Sequence, residues 1–187
     1  MADAEVREAV ASDAAEIARI QLTTWRTAYT ELLPAEVLDG LDPAAAEQEW
    51  QQALTEGPVT VLVATEGSWI VGFCAAGPAP EPEVAAANGT VPSDASTVAL
   101  VSALLVEPRW GRRGHGGRLL GEMAQRLAAT GATRGIIWVP EADTASMSFF
   151  GTAGWAPDGT VRTLDAGGRP LRELRLSGPL ELQLKTP

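Results

Sequence analysis

Residues 109–118 combine glycines with positive charge in a way that suits the binding of a phosphate or pyrophosphate. The segment leads from an apolar run into a helical pattern, so its backbone N–H groups would lie at a helix N-terminus, where the helix dipole favours anions. Glycine also lets a backbone approach a ligand closely. The alternative is a solvated basic loop with glycines for a tight turn, and the coincidence of the two features favours the phosphate site. The residues are Arg109, Gly111, Arg112, Arg113, Gly114, Gly116, Gly117 and Arg118.

Two common phosphate-binding motifs do not fit this segment. The P-loop pattern needs a lysine directly after its last glycine, and no lysine follows any of these glycines. The dinucleotide fingerprint G-x-G-x-x-G, started at Gly114 and Gly116, would need a third glycine where the chain has Leu119. The sequence therefore indicates a glycine-rich turn of a different kind.

A buried strand and a helix must hold this turn in place. Residues 97–106 form a nearly continuous apolar run rich in valine and leucine, which is typical of a strand covered on both faces. Pro108 has no N–H for a central ladder, so we expect the strand to end near Glu107. Apolar residues recur at helical spacing after this point, and the pattern predicts a helix that begins at Arg118.

Six residues around the turn fall in register with a known family pattern, in which a strand ending in V-x-P leads into [QR]-x-x-G-x-[GA] and a helix that begins with paired leucines. The segment thus resembles the acetyl-CoA-binding motif of the GNAT superfamily of N-acetyltransferases. One position departs from the motif, because Gly111 stands where Gln or Arg is usual, and Arg112 and Arg113 beside it could supply the charge. The residues in register are Val106, Pro108, Gly114, Gly116, Leu119 and Leu120.

Two further segments are similar to the same family. Residues 146–155, SMSFFGTAGW, follow the pattern A-x-x-[FY]-[FY]-x-x-x-G-[FW] on the helix after the fifth strand. Residues 23–34, TTWRTAYTELLP, resemble a subgroup whose first helices carry W-x-x-x-Y before an L-P turn. The order of predicted elements also agrees, so the resemblance covers nearly the whole chain.

The predicted elements run strand, helices, three strands, helix, strand, helix and hairpin. This order predicts an α/β (α+β) fold with one layer of sheet and helices on both faces. The resemblance implies a mixed, mostly antiparallel sheet of six to seven strands whose central strands splay apart, within a single domain of residues 1–187. Residues 78–94, rich in Pro, Ala and acids, are predicted to form a mobile flap, and residues 179–184 an added edge strand.

The resemblance implies that acetyl-CoA binds along the segment described first. A bulge in residues 101–104 would free backbone N–H groups to donate to the acetyl carbonyl and its oxyanion, with Leu104 as the principal donor. Thr144 stands where the family has an Asn that contacts pantetheine. The implied cofactor-binding residues are Leu104, Leu105, Val106, Arg112, Arg113, Gly114, His115, Gly116, Gly117, Thr144 and Phe150.

The family's usual proton donor to the departing thiolate is missing from this chain. Many members carry a tyrosine where SMSFFGTAGW has Phe150, which has no hydroxyl. Three interpretations remain. The thiolate can leave without protonation, since an ordinary thiol has a pKa of about 8.5. A hydroxyl of Ser146, Ser148 or Tyr29 can supply the proton. The protein can also bind acyl-CoA without efficient transfer. We favour the first, and the catalytic candidates are Leu104, Ser146 and Tyr29.

No side chain stands out as the base that accepts the proton of the amine. Glu107 follows the central strand and is expected to point towards the phosphate side. His115 is expected to lie beside the phosphates or in solvent, and Cys74 to be a small core residue. One His, one Cys and no spaced acid cluster predict no metal site. The weaker candidates for the base are Glu31, Glu36, Glu81, Glu83 and Asp94.

Charge is divided unevenly along the chain. Residues 1–100 hold 16 acidic and three basic residues, whereas residues 101–187 hold eight acidic and 11 basic ones. The acidic half argues against nucleic-acid binding and suits a cationic amine, while the other half suits an anion such as coenzyme A. Acidic surface also serves to keep a protein in solution. With no apolar run of 18 residues, no signal-peptide pattern and one cysteine, we expect a cytoplasmic protein without membrane association.

These inferences predict an N-acetyltransferase that transfers the acetyl group of acetyl-CoA directly to a small primary amine. An acceptor at a peptide or protein N-terminus is the alternative within the same class. A non-catalytic acyl-CoA-binding or regulatory module is the alternative from a different class, and Phe150 motivates it. Exposed edge strands near the termini also predict that a homodimer can form.

Overall fold

The computed structural model of the protein describes residues 4–182, and its elements follow the predicted order with one short helix added. The strands are β1 Ala4–Glu8, β2 Thr60–Glu66, β3 Trp69–Pro78, β4 Val98–Val106, β5 Arg134–Pro140, β6 Ala156–Ala166 and β7 Arg169–Pro179. The α-helices are α1 Ala14–Ala28, α2 Ala35–Asp39, α3 Pro43–Glu56, α4 Glu81–Val84, α5 His115–Ala129 and α6 Thr144–Thr152. Single turns of 3-10 helix occur at Ala11–Asp13, Ala95–Thr97 and Pro108–Trp110.

The seven strands form a mostly antiparallel sheet in the order β1-β2-β3-β4-β5-β7-β6. The pairs β1–β2, β5–β7 and β6–β7 are antiparallel. β4 and β5 are parallel because the crossover through α5 returns the chain to the same end of the sheet. Their ladder joins Val98–Leu100 to Arg134–Ile136, whereas β4 itself continues to Val106. The α/β fold with a mostly antiparallel sheet is therefore confirmed.

The chain divides into two compact units, and the first contains the residues up to Ala75 together with Ala103–Glu122. Its core joins α1, β2 and β3, and α1 contributes Ile17 and Ile20 to it. Trp50 of α3 packs edge-on against Phe73, with ring centroids 5.0 Å apart. A single domain for the whole chain stays a prediction. The buried core residues are Ile17, Ile20, Val61, Val63, Phe73 and Ala75.

The second unit contains Ala76–Ser102 and the residues from Met123 onward. Trp155 is buried there, against the backbone of β5 and β7. A Cβ atom added to Gly135 or to Gly178 would overlap its indole ring. The indole Nε1 donates to the carbonyl of Pro179 at 3.1 Å, and Phe150 packs on the ring with centroids 5.4 Å apart. The two glycines thus make room for the largest side chain in this core.

Residues 78–94 are largely loop, as their composition predicted, but a short helix packs part of the segment into the core of the second unit. They contain α4, and Val84 of this helix is buried against Val98 and Ile136. The buried guanidinium of Arg175 donates to the carbonyls of Glu83 and Ala85, at 2.8 Å each. A buried apolar residue and two charge-assisted hydrogen bonds therefore fix the segment within the second unit.

The prediction of an edge strand at residues 179–184 is not confirmed. β7 ends at Pro179, and residues 180–182 lie in no strand. The remainder of the predicted strand lies outside the described residues.

Replacing Gly178 with alanine should destabilise the protein strongly, because the new methyl group must displace the Trp155 indole or the β7 backbone. Overpacking of this kind costs about 2–3 kcal/mol of unfolding free energy. Urea denaturation followed by tryptophan fluorescence measures the change. The matched control is Gly151→Ala on α6, where an added Cβ meets no atom within 4 Å and helix propensity should raise stability by about 0.5–1 kcal/mol. Equal effects of the two substitutions would contradict the predicted overlap with Trp155.

Candidate functional site

The glycine-rich turn lies in the first unit, between the 3-10 helix Pro108–Trp110 and α5. Two of its residues have left-handed backbone conformations, Arg112 with φ 61° and Gly114 with φ 83°. Glycine adopts this conformation without strain, but an L-residue such as Arg112 is held there at a cost of about 1–2 kcal/mol. Such outliers concentrate at functional sites, so the conformation of Arg112 supports a role for the turn.

Helix α5 begins at His115, three residues earlier than the sequence predicted. The N–H of Arg118 donates to the carbonyl of Gly114 at 3.0 Å, so the amides of residues 115–117 come before the helical ladder. The first amides of a helix have no partner within it. The prediction that the helix begins at Arg118 was wrong. Two consecutive glycines have low helix propensity, so the sequence pattern did not indicate the first helical turn.

The surroundings of these amides are open and positively charged. A Cβ added to Gly117 would meet no heavy atom within 4 Å. The side chains of Arg112 and Arg118 are exposed. The Arg118 guanidinium folds over the turn, 3.8 Å from the position of a Cβ on Gly114, and its Nη1 donates to the carbonyl of Arg113 at 3.3 Å. Backbone donors and guanidinium groups are thus gathered in one place, which can bind a diphosphate.

Glu66, the last residue of β2, is bonded to the same turn. Its Oε1 accepts a hydrogen bond from Nη1 of Arg113 at 2.9 Å, and its Oε2 lies 2.9 Å from Nε2 of His115. The His115 ring is only 2 % exposed, which excludes solvent as its position and leaves a place beside the phosphates as a prediction. Sequence reasoning missed Glu66. Arg113 and His115 follow it at distances of 47 and 49 positions along the chain, and no local pattern links residues that far apart.

Glu107 is paired with two arginines in the first unit. Its Oε2 accepts from Nη2 of Arg19 at 3.1 Å, and its Oε1 lies 2.8 Å from Nε of Arg109. The hydrogen bond to Glu107 is the main reason that the pKa of Arg19 is raised. Glu107 is buried, and its N–H donates to the carbonyl of Val71. Both carboxylate oxygens are engaged, so Glu107 fixes the end of β4 and is a poor candidate for the base.

The end of β4 brings Leu104, Leu105 and Val106 close to β3. All three are partly buried. Gly72 of β3 allows this approach, because an added Cβ would lie 2.7 Å from the carbonyl oxygen of Leu105. These residues and the turn, from Arg112 to Gly117, therefore lie in the same unit, a few positions apart along the chain.

Three of the predicted site residues lie on α6 in the second unit. Thr144 is the exposed first residue of the helix, and Phe150 is buried against Trp155. Asp143 caps the helix, accepting from the Ser146 N–H at 3.0 Å and from the Ser146 hydroxyl at 2.7 Å. The single hydroxyl hydrogen of Ser146 is therefore used by this cap. Sequence reasoning missed Asp143, although an aspartate just before a helix is a recognisable cap.

Tyr29 ends α1 in the first unit and is partly buried. Its ring lies 6.4 Å from that of Trp25, as expected for side chains four residues apart on one helical face. Thr24 on the same helix has a buried Oγ1 with no hydrogen-bond partner among the described residues. The weaker candidates for a base are dispersed: Glu31, Glu36 and Glu81 are exposed, Glu83 accepts from Trp138 and Arg162, and Asp94 is paired with Arg134.

Cys74 is fully buried in β3, and burial raises the pKa of its thiol well above the ordinary value. It is a core residue, as predicted, and not a nucleophile. Within residues 4–182, no group of three or more His, Cys, Asp or Glu could hold a metal ion. None of the helices described is both long and apolar enough to cross a membrane.

The fold is an α/β fold with a glycine-rich turn before α5, and comparison with known proteins identifies its family. The sequence profile of the Acetyltransferase (GNAT) family matches residues 20–155. The chain is 30% identical over 182 residues to a Bacillus subtilis (strain 168) protein named Uncharacterized N-acetyltransferase YuaI, covering 97% of this chain and 96% of that protein. The chain belongs to the GNAT acetyltransferase family and is an acyltransferase, so the alternative of a non-catalytic module is not retained.

Two solved structures show the same fold. The PaiA N-acetyltransferase of Thermoplasma acidophilum, solved in complex with coenzyme A, superposes with a TM-score of 0.67 at 16% identity, covering 91% of this chain and 98% of that one. YncA of Salmonella typhimurium, a putative acetyltransferase solved with acetyl-CoA, gives a TM-score of 0.69 at 16% identity and covers 99% and 98%. At this level of identity the likeness concerns the fold.

Proposed function

We propose that this protein transfers the acetyl group of acetyl-CoA to the primary amine of a small molecule. The observation that supports this most directly is the turn before α5, where left-handed residues, the first backbone amides of the helix and exposed arginines meet. Family membership supplies the reaction class. The titles of two structures with the same fold name coenzyme A and acetyl-CoA as bound molecules, which supports the choice of cofactor.

The residues of the turn fit the diphosphate of coenzyme A. The amides of Gly116 and Gly117 would donate to its oxygens, and open space around Gly117 leaves room for the group. Arg112 and Arg118 would supply charge from exposed positions. Arg113 is paired with Glu66 at 2.9 Å, so in this proposal its side chain shapes the turn.

When bound, acetyl-CoA supplies an activated thioester carbonyl. The chain's task is then to orient that carbonyl, to stabilise negative charge on its oxygen and to remove a proton from the amine. We assign the second task to the backbone N–H of Leu104. This assignment is supported by the short ladder between β4 and β5, whose pairing ends at Leu100.

The departing thiolate needs no side-chain acid in this proposal. Phe150 has no hydroxyl and is buried, and the Ser146 hydroxyl already donates to Asp143. A thiolate whose conjugate acid has a pKa of about 8.5 is stable enough to leave near neutral pH. Tyr29 stays the candidate for a proton donor if one is used. The acidic surface of the first half of the chain supports a cationic acceptor.

An assay of thiol release with acetyl-CoA and a panel of amines tests the proposal. The panel holds aliphatic amines, diamines, amino acids and peptides with free N-termini, and mass spectrometry identifies the acetylated product. The only cysteine of the chain is buried, so the protein itself contributes little signal to a thiol reagent. We expect turnover with at least one small amine and a higher Tm with acetyl-CoA. Turnover with peptides alone would move the acceptor to peptide N-termini, and no turnover with any amine would contradict the proposal.

A further inference from the structure

One carboxylate holds the phosphate-binding turn on both sides of its central glycine. Glu66 binds Arg113, the residue before Gly114, and His115, the residue after it, at 2.9 Å each. The Glu66 side chain is 17% exposed and that of His115 is 2% exposed, so the second bond is shielded from solvent. Hydrogen bonds to a charged group in such surroundings are stronger than those in water.

Other contacts of the turn also restrain its backbone. The Arg113 guanidinium lies over the Trp110 ring, 4.9 Å from its centroid. A carboxylate only accepts hydrogen bonds, so Nε2 of His115 carries the hydrogen of the bond to Glu66. Nδ1 of His115 is buried and has no partner among the described residues. Within the described residues, Glu66 is therefore the hydrogen-bond partner that orients this ring.

We propose that Glu66 is a positioning residue that keeps the turn in its coenzyme A-binding shape. This inference rests on the proposed function. Arg112 and Gly114 have left-handed conformations, and the strained Arg112 needs its neighbours to be fixed. By tying Arg113 and His115 to the end of β2, Glu66 holds the amides of Gly116 and Gly117 in the direction that a diphosphate requires.

If Glu66 acted only through its charge, its removal would have the opposite effect on the binding of coenzyme A. A carboxylate near an anion site repels the ligand, so its removal should tighten the binding of coenzyme A, most of all at low salt. A positioning role predicts weaker binding after removal. Since the effect would come from geometry, the ratio of the variant and wild-type Kd values should change little with salt. The sign of the effect and its salt dependence separate the two roles.

Glu66→Gln is the test, with calorimetric titration of coenzyme A at low and at high salt. The amide replaces one carboxylate oxygen with an NH2 group and removes the charge that strengthens both bonds, so we expect Kd to rise by about tenfold at both salt concentrations. KM for acetyl-CoA should rise by a similar factor, while kcat at saturation stays within about twofold. The matched control is Glu49→Gln, which removes the same charge from an exposed position on α3 and should leave Kd unchanged.

Glu66→Asp provides a second variant if the first folds poorly. It keeps the charge but is one methylene shorter, so it cannot reach both partners, and we expect a Kd about three- to tenfold higher. Binding as tight as in the wild type, or tighter, in either folded variant would overturn the positioning role. A wild-type protein that binds no coenzyme A would instead overturn the proposed function, so the two failures are distinguishable.

Discussion

Gly116→Asp should remove coenzyme A binding from a chain that remains folded. Position 116 lies in the first turn of α5 and is not among the residues with positive φ, so an L-residue fits the backbone. An acidic side chain near a helix N-terminus interacts favourably with the helix dipole, so the substitution should not destabilise α5. Its carboxylate would face the diphosphate at about 4 Å, where repulsion of several kcal/mol is expected in a partly shielded site. Calorimetry should show Kd raised by at least about a hundredfold.

The matched control for this substitution is Gln125→Asp. Gln125 is exposed on the same helix, and the replacement adds the same charge away from the turn. We expect its Kd for coenzyme A to stay within about twofold of the wild type, since an exposed charge more than a Debye length away is largely screened. Retained affinity in Gly116→Asp would show that the turn does not bind the diphosphate.

Arg175→Ala should cause a large loss of stability. The guanidinium is 7% exposed and donates to Asp158 at 2.6 Å, to Thr160 at 2.9 Å and to the carbonyls of Glu83 and Ala85. Arg175 is buried whereas Asp158 is partly exposed, so we expect a loss of about 3 kcal/mol, which comes from the charge-assisted hydrogen bonds that the guanidinium donates. Equilibrium urea denaturation gives the change in unfolding free energy.

Arg172→Ala is the control on the same strand. Arg172 is paired with Glu141 at 3.0 Å, but the two side chains are 58% and 51% exposed. Exposed ion pairs contribute about 0–1 kcal/mol, so this variant should differ little from the wild type. If the two variants lost equal stability, the buried contacts of Arg175 would not be what holds residues 78–94 in place.

Periodicity and turn residues were sufficient to predict most of the fold. The strand predicted over residues 97–106 is β4, Val98–Val106, and the hairpin is formed by β6 and β7. These elements have strong local signals, because apolar spacing and glycine turns act within a few residues.

The failures have a common physical cause, which is that contacts distant in sequence decided the outcome. Residues 78–94 lack apolar periodicity, yet Arg175, about 90 residues away, fixes them through backbone carbonyls. The partners of Glu66 are 47 and 49 residues away. The amino-acid composition of these segments does not indicate any of these contacts. The resemblance to the family, by contrast, depends on spacing within short motifs, and family membership was therefore predicted correctly.

The site itself was predicted unevenly. Phosphate binding by the turn stays a prediction, which glycines and arginines allow because backbone amides bind phosphate whatever the side chains are. The proton-transfer groups could not be inferred, since carboxylates are common on surfaces and only their partners distinguish them. Glu107 illustrates this: its position after β4 did not reveal its role, whereas its two arginine partners show a structural carboxylate.

The indole of Trp155, lying on two glycines in neighbouring strands, has an evolutionary consequence. No single substitution at Gly135 or Gly178 can add a side chain without displacing the ring, so drift at either position requires a smaller residue at 155 first. Among homologues, these three positions should vary together, and lineages that lose the tryptophan should be the ones in which alanine or serine enters the paired strands.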